Sequence, residues 1–133
     1  VVLSLGKNDM KAKYRATPET IGAGIEECLQ IIYKEGKTVS KKVPKIIVIS
    51  PAIIEEKERL RFGRKVVDFL GANKKSARLG EVYGEIAKKH GVGFLNLAQY
   101  VKNSEVDGVH LNEKSNRKTA ELVGQKIEEL LSS

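Results

Sequence analysis

The run Val1-Val2-Leu3-Ser4-Leu5, passing into Gly6-Lys7-Asn8-Asp9, decides the fold. It is apolar and β-branched without alternation, as a strand is when it has neighbouring strands on both sides, and it breaks on Gly and Asn, residues that suit a turn. Two further runs share this character: Lys45-Ile46-Ile47-Val48-Ile49-Ser50, closed by Pro51, and Val92-Gly93-Phe94-Leu95-Asn96-Leu97, which follows His90-Gly91. Helical periods separate them. Thr17-Pro18 offers a hydroxyl N-cap with proline at the first helical position. Ile21, Ile25, Cys28, Leu29 and Ile32 then repeat on one face, predicting a helix over 18–35 that stops at Gly36. From Ser76 onward Leu79, Val82, Tyr83, Ile86 and Ala87 predict a second helix, and Asn112 caps a third whose Ala120, Val123, Ile127 and Leu130 share a face.

Two stretches read less regularly. Residues 37–43 form a basic linker, and 52–75 reads as a loop leaving a strand end, followed by a helical stretch through Phe62, Val66, Val67, Phe69 and Leu70 before Gly71. The alternation of strands and helices predicts an α/β fold: a three-layer α/β/α sandwich on a parallel sheet, flavodoxin-like, with its functional loops at the carboxyl ends of the strands. The absence of an initiator Met and the start inside a strand suggest a fragment.

The 133 residues, 41% apolar and 31% charged, suit one soluble domain. No apolar run approaches the roughly 20 residues needed to cross a bilayer, and no signal-peptide layout opens the chain. Cys28 is the only cysteine, so no internal disulfide forms; it reads as core filler in a reducing, cytoplasmic compartment, although a signal on a missing N-terminus would change that location. The net charge of +7 invites a nucleic-acid reading, but Lys41-Lys42, Lys74-Lys75 and Lys88-Lys89 are scattered pairs without stacking aromatics. A solvated basic surface, with neither nucleic acid nor membrane as partner, is expected.

A parallel sheet gathers the loops at Gly6 to Asp9, Ser50 to Ile54 and Asn103 to Leu111 along one edge. Asp107 and His110 are close enough for the carboxylate to accept the Nδ1 proton, leaving Nε2 as a general base. Asp-Gly is equally ordinary turn chemistry, and both readings stand at this point. Asn8 has an amide suited to a developing oxyanion, or simply to a turn beside Gly6. Asp9 reads as a loop-holding residue. A metal site from Asp9, Asp107 and His110 lacks a further ligand. His90, at a helix C-terminus, reads as an exposed capping residue.

Together these pieces resemble the SGNH/GDSL hydrolases. Gly6-Lys7-Asn8-Asp9 is similar to their Gly-x-Asn-Asp block, and Asp107-Gly108-Val109-His110 to their Asp-x-x-His block. Arg15-Ala16-Thr17-Pro18-Glu19, Ile49-Ser50-Pro51 and Phe94-Leu95-Asn96-Leu97 resemble arylesterase-like and acetyl-esterase-like members. The resemblance implies His110 as base, Asp107 as its orienting acid, and Asn8 with Gly6 at the oxyanion and substrate. It implies no cofactor.

The family's Gly-Asp-Ser nucleophile block has no counterpart here, since Ser4 lies inside the opening strand and Ser50 precedes Pro51. Residues 1–133 are therefore expected to be the carboxyl-terminal part of a single domain lacking its first strands and helices. The expected partners are a small acyl-ester substrate and either the missing amino-terminal segment or another copy of the chain, as a homo-oligomer. The expected activity is serine-type hydrolysis of small, acetyl-like esters by a parent enzyme, this chain alone being inactive. The alternative is a catalytically inactive α/β binding or assembly module. A nucleotide-binding flavodoxin-like domain is opposed by the lack of a Gly-rich phosphate loop.

Overall fold

The structure, a computed structural model, describes residues 1–133, the side chains at positions 40 and 61 aside. Three strands, β1 (Val2–Leu3), β2 (Ile47–Ser50) and β5 (Gly93–Asn96), form a parallel sheet in the order β1-β2-β5. Val2 pairs with Ile47, and Ile47 through Ser50 pair in turn with Gly93 through Asn96. β2 is buried along its whole length, and successive side chains feed opposite faces. Ile46 and Val48 enter a core with Ile21, Ile25 and Leu29 of α1 (Pro18–Ser40) and Leu79, Val82 and Tyr83 of α2 (Ala72–His90). Ile47 and Ile49 enter a second core covered by Leu122, Val123, Ile127 and Leu130 of α3 (Glu113–Ser132). That is the predicted α/β sandwich, with helices on both faces.

The caps follow the sequence. The Thr17 hydroxyl accepts from Thr20 N while the Thr20 hydroxyl accepts from Thr17 N, and Asn112 accepts from Ser115 N. Several boundaries differ. β1 is only two residues long and pairs on one side alone, with Val1, Val2 and Leu5 exposed, so Ser4 lies beyond the strand rather than within it. α1 runs past Gly36 to Ser40, because Gly36 serves close packing: a Cβ there would stand 2.7 Å from Pro44 Cδ. α2 begins at Ala72, four residues before the predicted start at Ser76. Ala120 is exposed, and Leu122 takes the place expected of it in the α3 interface.

The helix expected within 52–75 is a hairpin instead, β3 (Arg59–Arg61) against β4 (Arg64–Val66). Its two-residue turn, Phe62-Gly63, has φ of +50° and +72°, the left-handed pair that matches strand twist in tight hairpins. Phe62 is 98% exposed while Phe69 packs against the first core, so the apolar residues there share no single helix face.

Candidate active site at the carboxyl edge of the sheet

Chain leaving β1 forms the first wall. Gly6 is buried with φ +104°, and a Cβ at this position would lie 2.0 Å from the Tyr83 hydroxyl oxygen. Only glycine admits both that conformation and that approach. Tyr83, fully buried in α2, donates its hydroxyl proton to Leu5 O at 3.0 Å and so fixes the turn that carries Lys7 and Asn8. Burial, reinforced by the Asp9 carboxylate, pushes the Tyr83 hydroxyl far above its ordinary pKa, so it remains a donor. Asn8 opens a short 3-10 turn, Asn8–Met10; its side chain is exposed, and no described residue hydrogen-bonds its amide.

The opposite wall is loop 103–111. Asp107 Oδ1 accepts backbone N–H groups of Val109 and His110, both at 2.9 Å, and its Oδ2 lies 2.5 Å from His110 Nδ1. The His110 backbone N–H, the His110 ring and the Val109 N–H together hold the Asp107 carboxyl well below the usual carboxylate range. An ionised carboxylate at Nδ1 fixes the tautomer with the proton there, leaving Nε2 as a free lone pair. The His110 side chain is 71% exposed, so Nε2 is open to solvent or substrate.

Between the walls lies a cavity of about 170 Å³ lined by Ser4, Leu5 and Lys7 on one side, Pro51, Ala52 and Leu97 at its base, and Asn103, Val109 and Leu111 on the other. Lys7 precedes Asn8, while Val109 and Leu111 flank His110, so both candidate loops border one space at the strand ends. Asp9 lines a different groove with Ile21, Ile25 and Cys28, and among the described residues no cluster of three metal-ligating side chains exists.

The remaining candidates fall elsewhere. Ser50 is fully buried and donates to Asn96 Oδ1 at 3.0 Å, which leaves it no access to a base. His90 is not the exposed cap that its position suggested. Its ring is 16% exposed, sits 2.7 Å from Glu26 Oε1 and stacks on Tyr33 at 6.1 Å, joining α1 to the end of α2. Lys89 and His90 together lower the Glu26 carboxyl, so this cluster is an interhelix tie remote from the cavity. Asn103, Ser76 and Tyr83 carry positions in the site that sequence reading did not assign, because each acts on a backbone atom distant in the chain.

No curated protein sequence matches the chain. Among solved structures, the M. smegmatis aryl esterase is similar at 26% identity and TM-score 0.85, over 98% of this chain and 60% of its own. A carbohydrate acetylesterase family member from Sinorhizobium meliloti is similar at 25% identity and TM-score 0.85, over 99% of this chain and 61% of its own. A GDSL-like lipase from Bacteroides thetaiotaomicron, at 18% identity and TM-score 0.62 over 97% of this chain and 62% of its own, shares the fold. The chain thus spans 60% to 62% of these proteins. The family model for GDSL-like lipase/acylhydrolase matches residues 1–123, nearly the whole sequence. By that match, with the parallel sheet and its two loops, the chain belongs to the GDSL-like lipase/acylhydrolase family.

Proposed function

We propose that this chain carries the base, acid and oxyanion side of a serine-type ester hydrolase, the nucleophilic serine coming from polypeptide outside these 133 residues. The observation that carries the reading is the Asp107–His110 pair, 2.5 Å apart on a loop at the carboxyl edge of a parallel sheet in a member of this family. In the reaction, His110 Nε2 takes the proton of the attacking serine hydroxyl, and Asp107 balances the imidazolium. The Asn8 amide, on a turn shaped by Gly6, donates to the oxyanion of the tetrahedral intermediate. His110 then returns the proton to the departing alcohol, and water, deprotonated by the same nitrogen, releases the acid.

A cavity of about 170 Å³ suits a small acyl group, and the acetylesterase among the similar structures favours an acetyl-like ester. β1 has an unpaired edge, and just beyond it Leu5 borders a largely apolar groove with Ile21, Ile25 and Cys28; we read this side of the chain as fit for the nucleophile-bearing segment or for a second copy in a homo-oligomer. The same open edge favours the second reading, an inactive module that works by association. Among the described residues no helix is long and apolar enough to cross a membrane, and a cytoplasmic setting fits the single cysteine.

The test has two arms. The chain alone should hydrolyse p-nitrophenyl acetate no faster than free imidazole and take up no fluorophosphonate. A polypeptide joining it to its upstream coding sequence should do both, and an upstream sequence without a serine block would leave only the association reading.

A further inference from the structure

We propose that Asn103 is a positioning residue for His110, clamping the Asp107–His110 loop to a bracket formed by residues 53–57 and the first turns of α2. This rests on the reading of His110 as the base. The loop is held internally by its own bonds. Ser104 N donates to His110 O at 2.6 Å, Gly108 N to Ser104 O at 2.8 Å, and Asn103 bridges Leu111 across the base. Such a loop keeps its shape, including the acid–base pair, wherever it sits. What its internal bonds do not fix is its placement over the cavity.

Beside the packing of Val109 and Leu111 against the two cores, placement rests on three polar contacts to one neighbour. Asn103, only 7% exposed, donates from Nδ2 to Ile53 O at 2.8 Å. Glu55 N donates to Gly108 O at 2.9 Å, and Lys57 Nζ donates to Glu105 O. Gly108 makes the approach possible, since a Cβ on it would fall 2.5 Å from Glu55 O and its φ is +72°.

The neighbour is itself immobilised. Ile54 is fully buried, its N–H donates to the Ser76 hydroxyl at 2.9 Å, and its carbonyl accepts from Asn73 Nδ2 at 3.0 Å. The Ser76 hydroxyl proton in turn goes to Asn73 O at 2.9 Å, so the α2 terminus and the bracket form one hydrogen-bonded unit. Of the three clamping contacts, the Asn103 amide is the buried side-chain one, and it lines the cavity beside Val109 and Leu111. Its loss would strand the Ile53 carbonyl and release one end of the loop without touching the Asp107–His110 pair.

The experiment separates placement from pairing. In Asn103→Ala, hydrogen exchange at the Glu55 amide should accelerate about tenfold or more, while the Val109 and His110 amides, bonded to Asp107 inside the loop, keep their protection. The imidazole tautomer seen by ¹⁵N NMR should be unchanged. In the nucleophile-bearing polypeptide kcat should fall on the order of 10- to 100-fold with KM nearly constant and the midpoint of the pH–rate profile unmoved, as a base displaced by a fraction of an ångström requires. Lys57→Met, on a partly exposed side chain, should act in the same direction more weakly and keeps the test usable if Asn103→Ala does not fold.

Unchanged Glu55 exchange and unchanged kcat in both variants would overturn the proposal. So would a shifted tautomer or pH midpoint in Asn103→Ala, which would mean that Asn103 acts on the pair itself. Loosened Glu55 exchange combined with no esterase activity in the wild-type nucleophile-bearing polypeptide would support the clamp and refute the hydrolase reading.

Discussion

Gly6→Ala tests the packing of the first candidate loop against Tyr83. Forcing a Cβ into backbone with φ +104° costs about 1–3 kcal/mol. The same Cβ would sit 2.0 Å from the Tyr83 hydroxyl oxygen, far inside van der Waals contact, and overpacking of this kind adds about 1–3 kcal/mol as Tyr83 yields and strains its bond to Leu5 O. The total, about 2–6 kcal/mol, is read from urea denaturation midpoints. Two comparisons give it resolving power. Gly24→Ala, in α1 with nothing within 4 Å of the new Cβ, should be stabilising by about 0.5–1 kcal/mol. Tyr83→Phe alone should cost about 1–3 kcal/mol by stranding Leu5 O, yet it removes the clashing oxygen, leaving Ile21 Cγ2 at 3.0 Å and the Tyr83 ring carbon at 3.3 Å as the nearest atoms. The double variant should therefore be less destabilised than the sum of the singles by about 1–3 kcal/mol. Strict additivity, or a Gly6→Ala no worse than Gly24→Ala, would refute the close approach of Tyr83 to this loop.

In the nucleophile-bearing polypeptide, steady-state kinetics should rank His110→Ala as the most damaging substitution, then Asp107→Asn, then Asn8→Ala at about 10²-fold in kcat; a silent Asn8 beside an essential His90 would point to the wrong loop. Asp107→Asn should also destabilise the chain in a pH-dependent way. The folded-state carboxyl titrates below its unfolded value, so its contribution is complete above about pH 4 and drains away as pH falls toward the folded value; at 43% side-chain exposure, screening limits it to about 1 kcal/mol or less. Urea midpoints of wild type and variant should differ at pH 7 and begin to draw together only once pH falls below about 4, still differing at pH 3. Phe62→Asn should raise stability by about 0.5–1 kcal/mol, because the position has φ +50°, which Asn tolerates better, and the Phe ring it replaces is fully exposed.

What the sequence made legible is what depends on neighbours close in the chain. β2 and β5 announced themselves by continuous apolar runs, α1 and α3 by caps at Thr17 and Asn112, and the Asp107–His110 pair by lying three residues apart on one loop. The hairpin was hidden because Phe62 and Val66, with Val67, Phe69 and Leu70 just beyond it, imitate the spacing of a helix face, while the decisive feature is a turn conformation at Phe62-Gly63. Gly36 read as a stop because a glycine required for close approach to Pro44 looks the same in sequence as one required for a turn. Asn103, Ser76 and Tyr83 stayed silent for a different reason. Their partners are the backbone atoms of Ile53, Ile54 and Leu5, and a backbone atom has no identity that a sequence can display. His90 misled because its partner, Glu26, lies on another helix, so nothing local revealed that it is enclosed.

The connectivity of the sheet has a kinetic consequence. Val2 must find Ile47, and Ile47 must find Gly93, each across an entire intervening helix, so no ladder of the central sheet can form by local closure. The quickest strand pairing available is β3 with β4, which adds nothing to either core. Chain collapse must therefore search for long-range parallel contacts before any of them is rewarded, a high-contact-order route that slows folding and leaves β2 without partners meanwhile. On a ribosome, β2 would emerge well before β5, and through that interval its four apolar or small residues would be the segment most in need of shielding.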